Sequence, residues 1–279
     1  MRFIDQYLPN HAFETLDGNA ANILLDCHAD GKLVSLGAFT YGAAVWDLET
    51  GKIVWKPEGT SAICWSSDGR EIYLVTEQYE RADEHPSAVK SPPQIKLTYV
   101  LERRSWPERE LLGTCNLRFR TGWPIGVLAS PRNDLIAVNW MEEDCAGFIL
   151  VERQPSDVLC QLHADCCFDQ SNFTMGPVFS PDGRYLVFVG TRLAWWSPDP
   201  EEWEMPAVGG RVLLGEITIL DTTTMIADTI DVEEELAAGW LPPDPETAEA
   251  YTIGYPEFTG SEEFRVSLPT GNSKTYHVK

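Results

Sequence analysis

The stretch "GPVFSPDGRYLVFVG", residues 176–190, constrains this chain more than any other. Two apolar runs flank Ser180-Pro181-Asp182-Gly183. Pro presets φ and Asp-Gly accepts the positive φ of a tight turn, so the spacing predicts two antiparallel strands. A lone hairpin is marginal in water and must be covered. Recurrence of the same pattern predicts the cover. Aligned on Gly183, it returns at Gly31 ("LLDCHADGKLVSLGAF"), Gly69 ("AICWSSDGREIYLVT") and Asn133 ("VLASPRNDLIAVNW"). A weaker match falls at Glu262 ("YPEFTGSEEFRVSL"). Four residues before these anchors stand Cys27, Trp65, Ala129, Phe179 and Phe258, a column of packing residues. The next column, His28, Ser66, Ser130, Ser180 and Thr259, is polar.

A second pattern follows each hairpin: a strand that ends in an apolar residue and a carboxylate, then a turn, then another strand. The pairs are Trp46-Asp47, Leu101-Glu102, Val151-Glu152 and Leu220-Asp221. Two hairpins per repeat make a four-stranded antiparallel unit, A-B-C-D. Helical periodicity is confined to two short candidates, 232–239 and 245–251.

These residues carry a resemblance. "AVWDLETGK" resembles the C-strand signature of WD-repeat β-propellers, and "FSPDGRYLVF" resembles their A–B hairpin. The resemblance spans nearly the whole chain, with a single Trp-Asp and no Gly-His dipeptide before strand A. It implies one all-β domain over residues 1–279: a β-propeller of five four-stranded antiparallel blades, with four or six as the alternative counts. The fifth repeat supplies strands A, B and C before Lys279. Residues 2–8, "RFIDQYL", are expected to add its outer strand and close the ring.

Composition bounds the function. The chain has 279 residues, 43% of them hydrophobic, and lacks an 18-residue apolar run, so no membrane partner is expected. The N-terminal stretch reads as no signal peptide, and seven cysteines without a framework spacing read as reduced thiols, so a cytoplasmic location is expected. Net charge is −22, and residues 199–263 hold 17 acidic residues against Arg211 alone. Such a field repels nucleic acid and attracts a basic partner, or simply keeps the protein soluble.

Insertions point to one face. The A–B anchor and the C–D carboxylate lie 16 and 19 residues apart in the first and third repeats, but 33 and 38 in the second and fourth. The extra residues fall between strands B and C, at 79–95 and 191–210. Strand alternation puts these on the same side as 9–21 and 236–251, so that side is the expected binding face. Its loops offer Trp195, Trp196, Trp203 and Trp240 among Asp199, Glu201, Glu202 and Glu204. Aromatics among acids suit a peptide or a sugar; folded inward, the same rings would plug the channel.

Catalytic and metal chemistry is not expected. Cys160, His163, Cys166 and Cys167 ("CQLHADCC") read as packed thiols, not a zinc site, and Cys27 as a packing residue of its column. Strand A starts carry no acids, and Asp17, Glu58, Asp169 and Glu249 lie in loops. The expected function is a non-catalytic binding or scaffold module for a protein or peptide, without cofactor. The alternative is a carbohydrate-active or small-ligand-binding propeller.

Overall fold

The computed structural model describes residues 23–38, 42–81, 95–118, 122–141, 145–153, 159–169, 175–196, 210–231, 256–267 and 273–278. Alternating sequences separated by tight turns fold here into five antiparallel meanders. The first sheet runs β1 (Ile23–Cys27), β2 (Leu33–Ala38), β3 (Gly42–Asp47) and β4 (Lys52–Trp55). The second runs β5 (Thr60–Trp65), β6 (Glu71–Arg81), β7 (Ile95–Ser105) and β8 (Leu111–Leu117). The third holds β9 (Trp123–Ala129), β10 (Leu135–Met141), β11 (Cys145–Arg153) and β12 (Leu159–Asp169). The fourth holds β13 (Met175–Phe179), β14 (Tyr185–Trp196), β15 (Gly210–Asp221) and β16 (Ile226–Asp231). The fifth has three strands, β17 (Pro256–Phe258), β18 (Glu263–Ser267) and β19 (Ser273–His277). The chain divides into two compact units, one of Met1–Trp140 with Phe148–Cys166 and the other of Met141–Gly147 with Cys167–Lys279.

The expected closed propeller of five four-stranded blades is corrected. Among the described residues four sheets have four strands and the fifth has three, and every described pairing joins strands of one sheet. No pairing among the described residues closes the sheets into a barrel or ring, and residues 2–8 lie outside them. The physical reason is that a repeated turn specifies a meander that satisfies its own backbone; it specifies no bond between the first meander and the last. What stands is a β-propeller-like succession of sheets.

The turns show why these residue types recur. Gly31, Gly69 and Gly183 have φ of 69°, 69° and 70°, and Asn133 reaches 57°. In the second sheet the Ser66 hydroxyl donates to Asp68 Oδ1 (2.7 Å) and accepts from the Glu71 N–H (2.9 Å). Ser180, Asp182 and Tyr185 repeat that arrangement in the fourth. The polar column is therefore the one that closes the turn. The Thr259 N–H reaches the Glu263 carbonyl, whereas the Ser180 N–H reaches Tyr185. The fifth turn is thus one residue shorter, which explains its weak match.

The C–D turns use the carboxylates. Asp47 accepts from the Thr50 N–H (2.8 Å), which holds its carboxyl below the usual range, and Asp221 accepts from Thr223 and Thr224. The second repeat departs from expectation. Ser105, not Glu102, ends β7 and accepts from the Glu110 N–H. Glu102 stands within β7, opposite Leu74.

In the first unit, Ala43 and Val45 of β3 pack on Ile63, Trp65, Ile72 and Leu74 of the second sheet. Polar links fix this contact. Asp26 Oδ2 accepts from the Trp65 N–H (2.7 Å), and His28 Nε2 donates to the Gly69 carbonyl (2.9 Å). Ser67 bonds onward to Asn133 and Pro131 of the third sheet. Arg103, 3% exposed, binds Glu71 through Nε and NH2, and Arg153 and the Tyr73 hydroxyl join the same carboxylate. Burial and Glu71 together push the Tyr73 phenol well above its ordinary value. In the second unit, Tyr185, Val187, Ile217 and Ile219 pack against Phe264, Val266 and Tyr276.

One packing expectation fails. Cys64 and Cys115 are buried, but Cys27 is exposed. Trp65, in the same column, packs on the preceding sheet, and among the described residues of its unit no sheet precedes the first.

Two outcomes follow from these contacts. Gly31 and Gly69 share φ, yet a Cβ at Gly31 meets open space while one at Gly69 falls 2.5 Å from His28 Nε2. Gly31→Ala should cost about 1 kcal/mol from backbone strain alone. Gly69→Ala should cost about 1–2 kcal/mol more, because the His28 ring must move. Urea midpoints of the two variants measure this, and equal costs would refute it. For Asp26, burial raises the carboxyl pKa against the bonds from Trp65 and Cys27. A raised folded pKa contributes stability present below the unfolded value and lost as pH rises through the folded one. Asp26→Asn should therefore be more stable than wild type at pH 7, with the gap shrinking toward pH 4. Melting curves across that window test it, and a constant gap would contradict it.

Candidate functional site

The B–C excursions begin as strand, not loop. In the second sheet β6 and β7 stay in register out to Arg81 opposite Ile95, and in the fourth β14 and β15 pair out to Trp196 opposite Gly210. Trp195 and Trp196 thus end β14, opposite Arg211 and Gly210. Trp203, Trp240, Asp199, Glu201, Glu202 and Glu204 lie outside the described residues, as do 9–21, 236–251 and the helix candidates 232–239 and 245–251. Cys160, His163, Cys166 and Cys167 all fall within β12.

The β6–β7 ribbon exposes an apolar pair. Tyr79 is 68% exposed and Leu97, directly opposite, 41%. The Tyr79 hydroxyl donates to Glu77 Oε2 (3.0 Å). On the neighbouring strand Tyr99 is buried, and burial together with Glu77 and Tyr79 pushes its phenol up to about 12.

At the base of this ribbon lies a cleft of about 470 Å³. Its apolar walls are Trp55 and Leu74; the connection 56–59 adds Lys56, Pro57 and Glu58. Strand β6 contributes Thr76, Glu77 and Gln78, and β7 contributes Glu102 and Arg104. The Glu77 N–H donates to the Gly59 carbonyl (2.7 Å), tying the connection to the ribbon. The cleft exists because β4 has four residues while β6 and β7 have eleven, so the second sheet outruns its neighbour.

An ion pair lines the cleft. Glu102 Oε2 accepts from Arg104 Nε (2.8 Å) and lies 2.7 Å from NH2, while Thr76 Oγ1 stands 3.4 Å from Oε1. Arg104 NH1 donates to the Arg109 carbonyl (3.0 Å). The Arg109 guanidinium lies over Trp55 at 5.3 Å and Trp106 at 5.4 Å, and its NH2 donates to the Val54 carbonyl. Each such stack is worth about 0.5–1 kcal/mol at a partly exposed site. The cleft therefore sets carboxylate acceptors beside an aromatic wall.

Sequence reading placed Glu58 in a loop but missed the rest of the cleft. Leu101-Glu102 imitates the pair that closes a C–D turn. The signal that identifies the true end is Ser105-Trp106-Pro107, since Pro interrupts the ladder two residues after Ser105.

No family model and no curated protein matches this chain. Its fold is similar to that of Kuenenia stuttgartiensis hydrazine synthase, with a TM-score of 0.53 and 13% identity. The match covers 91% of this chain and 64% of that one, so the chain spans under two thirds of its length. A structure titled as the Myceliophteria thermophila Cps50 (Swd1) beta-propeller domain matches at TM-score 0.47 and 14% identity, covering 91% and 64%. TolB from Acinetobacter baumannii matches at 0.43 and 14%, covering 91% and 53%. The class that the described sheets define is an all-β, β-propeller-like fold, and no particular repeat family is shown.

Glu102→Gln keeps the shape of the side chain and removes the charge that Arg104 faces. It should destabilise by about 1–2 kcal/mol, reduced from a fully buried pair because both groups keep some solvent. Glu58→Gln, on the exposed connection, should change stability by less than about 0.5 kcal/mol. Denaturant midpoints distinguish the two, and equal effects would show that the Glu102–Arg104 pair contributes nothing.

Proposed function

We propose that this protein is a non-catalytic binding or scaffold module that takes a protein or peptide partner through its long B–C excursions. The observation that carries the reading is the exposed Tyr79–Leu97 pair, on a ribbon that extends past the packed part of its sheet and beside an open cleft. Packing does not require that extension, whereas a partner surface does. The net charge of −22 favours a basic partner and salt-dependent encounter. The thiols of Cys27, Cys64 and Cys115 are free, which fits action in a reducing cytoplasm.

Trp195, Trp196, Trp203 and Trp240, with Asp199, Glu201, Glu202 and Glu204, belong to the same reading as the contacts of the remaining excursions. Trp195→Ala and Trp203→Ala should each cost on the order of 1–4 kcal/mol of partner affinity where the ring is a buried anchor. Capture of basic polypeptides and melting, measured on the same variants, test this. Lost stability with unchanged capture would make the rings part of the core. Binding of a glycan with quenching of Trp fluorescence would favour a carbohydrate-binding protein instead.

A further inference from the structure

Building on the binding-module reading, we propose that the cleft at the base of the β6–β7 ribbon receives an arginine side chain of the partner polypeptide. Its volume of about 470 Å³ lies in the range of ligand pockets, roughly 300–1,000 Å³, and leaves room for one long side chain with its flanking backbone. Three carboxylates reach it from three segments: Glu58 from the β4–β5 connection, Glu77 from β6 and Glu102 from β7. Against them stand Lys56 and Arg104, and Arg104 is already committed to Glu102 and to the Arg109 carbonyl. The surplus is of acceptors. Glu102 Oε2 takes Arg104, whereas among the described residues Oε1 has the long 3.4 Å approach of Thr76, and a carboxylate oxygen has capacity for a further donor.

The walls select among cations. Trp55 is a planar aromatic surface. A guanidinium is planar and weakly hydrated, stacks on aromatic rings and donates in a fork to carboxylates. An ammonium is a compact, strongly hydrated point charge that leaves the flat wall unused. The protein already holds its own guanidinium groups in both ways. Arg109 lies over Trp55 and Trp106, and Arg103 engages Glu71 through two nitrogens. Anionic ligands meet three carboxylates against two cations here.

The test uses the full chain and a fluorescent, unstructured Gly-Ser peptide with three spaced arginines, read by anisotropy. Counterparts carry citrulline or lysine in their place. The arginine peptide should bind, with affinity falling as salt rises. Citrulline, which keeps the shape and loses the charge, should weaken binding at least tenfold, and lysine severalfold. The Glu58→Gln/Glu77→Gln double variant should weaken arginine binding at least tenfold at unchanged melting temperature. If the double variant melts lower, Glu58→Gln alone must still weaken it. Equal binding of the citrulline peptide, or unchanged affinity in these variants, overturns the pocket. If that unchanged binding is lost in Trp195→Ala, the pocket falls while the binding-module reading stands. Failure of the wild-type protein to bind the arginine peptide also overturns the pocket, and capture through Trp195 and Trp203 then decides the broader reading separately.

Discussion

Closure of the A–B hairpin by a serine is the interaction on which the rest of this structure depends. Ser66 and Ser180 each donate to the turn aspartate and accept from the strand that follows, so a single hydroxyl ends one strand and starts the next. The left-handed residue that completes the turn reverses the chain without leaving buried backbone groups unpaired. In the first unit these closed turns also become connectors. Gly69 offers its carbonyl to His28, and Ser67 bonds to Asn133 and Pro131 of the next sheet. Local turn chemistry and contact between sheets are therefore supplied by the same few residues.

Between the sheets the contacts are largely apolar, with charge admitted where it is fully partnered. The buried Arg103 guanidinium is met by both oxygens of Glu71, and Arg153 and the Tyr73 hydroxyl donate to the same carboxylate. Asp26 is the opposite case. Its bond from the Trp65 N–H links two sheets, but burial still penalises its charge. The first arrangement pairs its charges directly; the second trades some stability for register.

The candidate site arises from unequal strand lengths. A four-residue β4 beside eleven-residue β6 and β7 cannot cover them, and the uncovered base of the ribbon becomes a cleft. Its charged residues are held from outside. Arg104 links Glu102 to the Arg109 carbonyl, and Arg109 is fixed in turn by Trp55, Trp106 and Val54. A recognition surface on rigid strands is more exact in geometry than one on loops alone.

Much of the local fold was legible in the sequence by itself. Ser-Pro-Asp-Gly and Ser-Ser-Asp-Gly announce their turns because only certain residues accept those dihedrals, and Trp46-Asp47 and Leu220-Asp221 announce theirs because a short carboxylate can reach the turn N–H groups. Those are interactions among neighbours in the chain, so neighbours reveal them. Tertiary structure alone decided the rest. Whether Leu101-Glu102 ends a strand depends on where β6 keeps pairing, and whether Cys27 is covered depends on a neighbouring sheet. Assembly of Trp55, Glu58, Glu77 and Glu102 around one cleft depends on relative strand lengths and inter-sheet packing. Ring closure belongs with these, because hairpin periodicity counts sheets but carries no term for a bond between the first and the last.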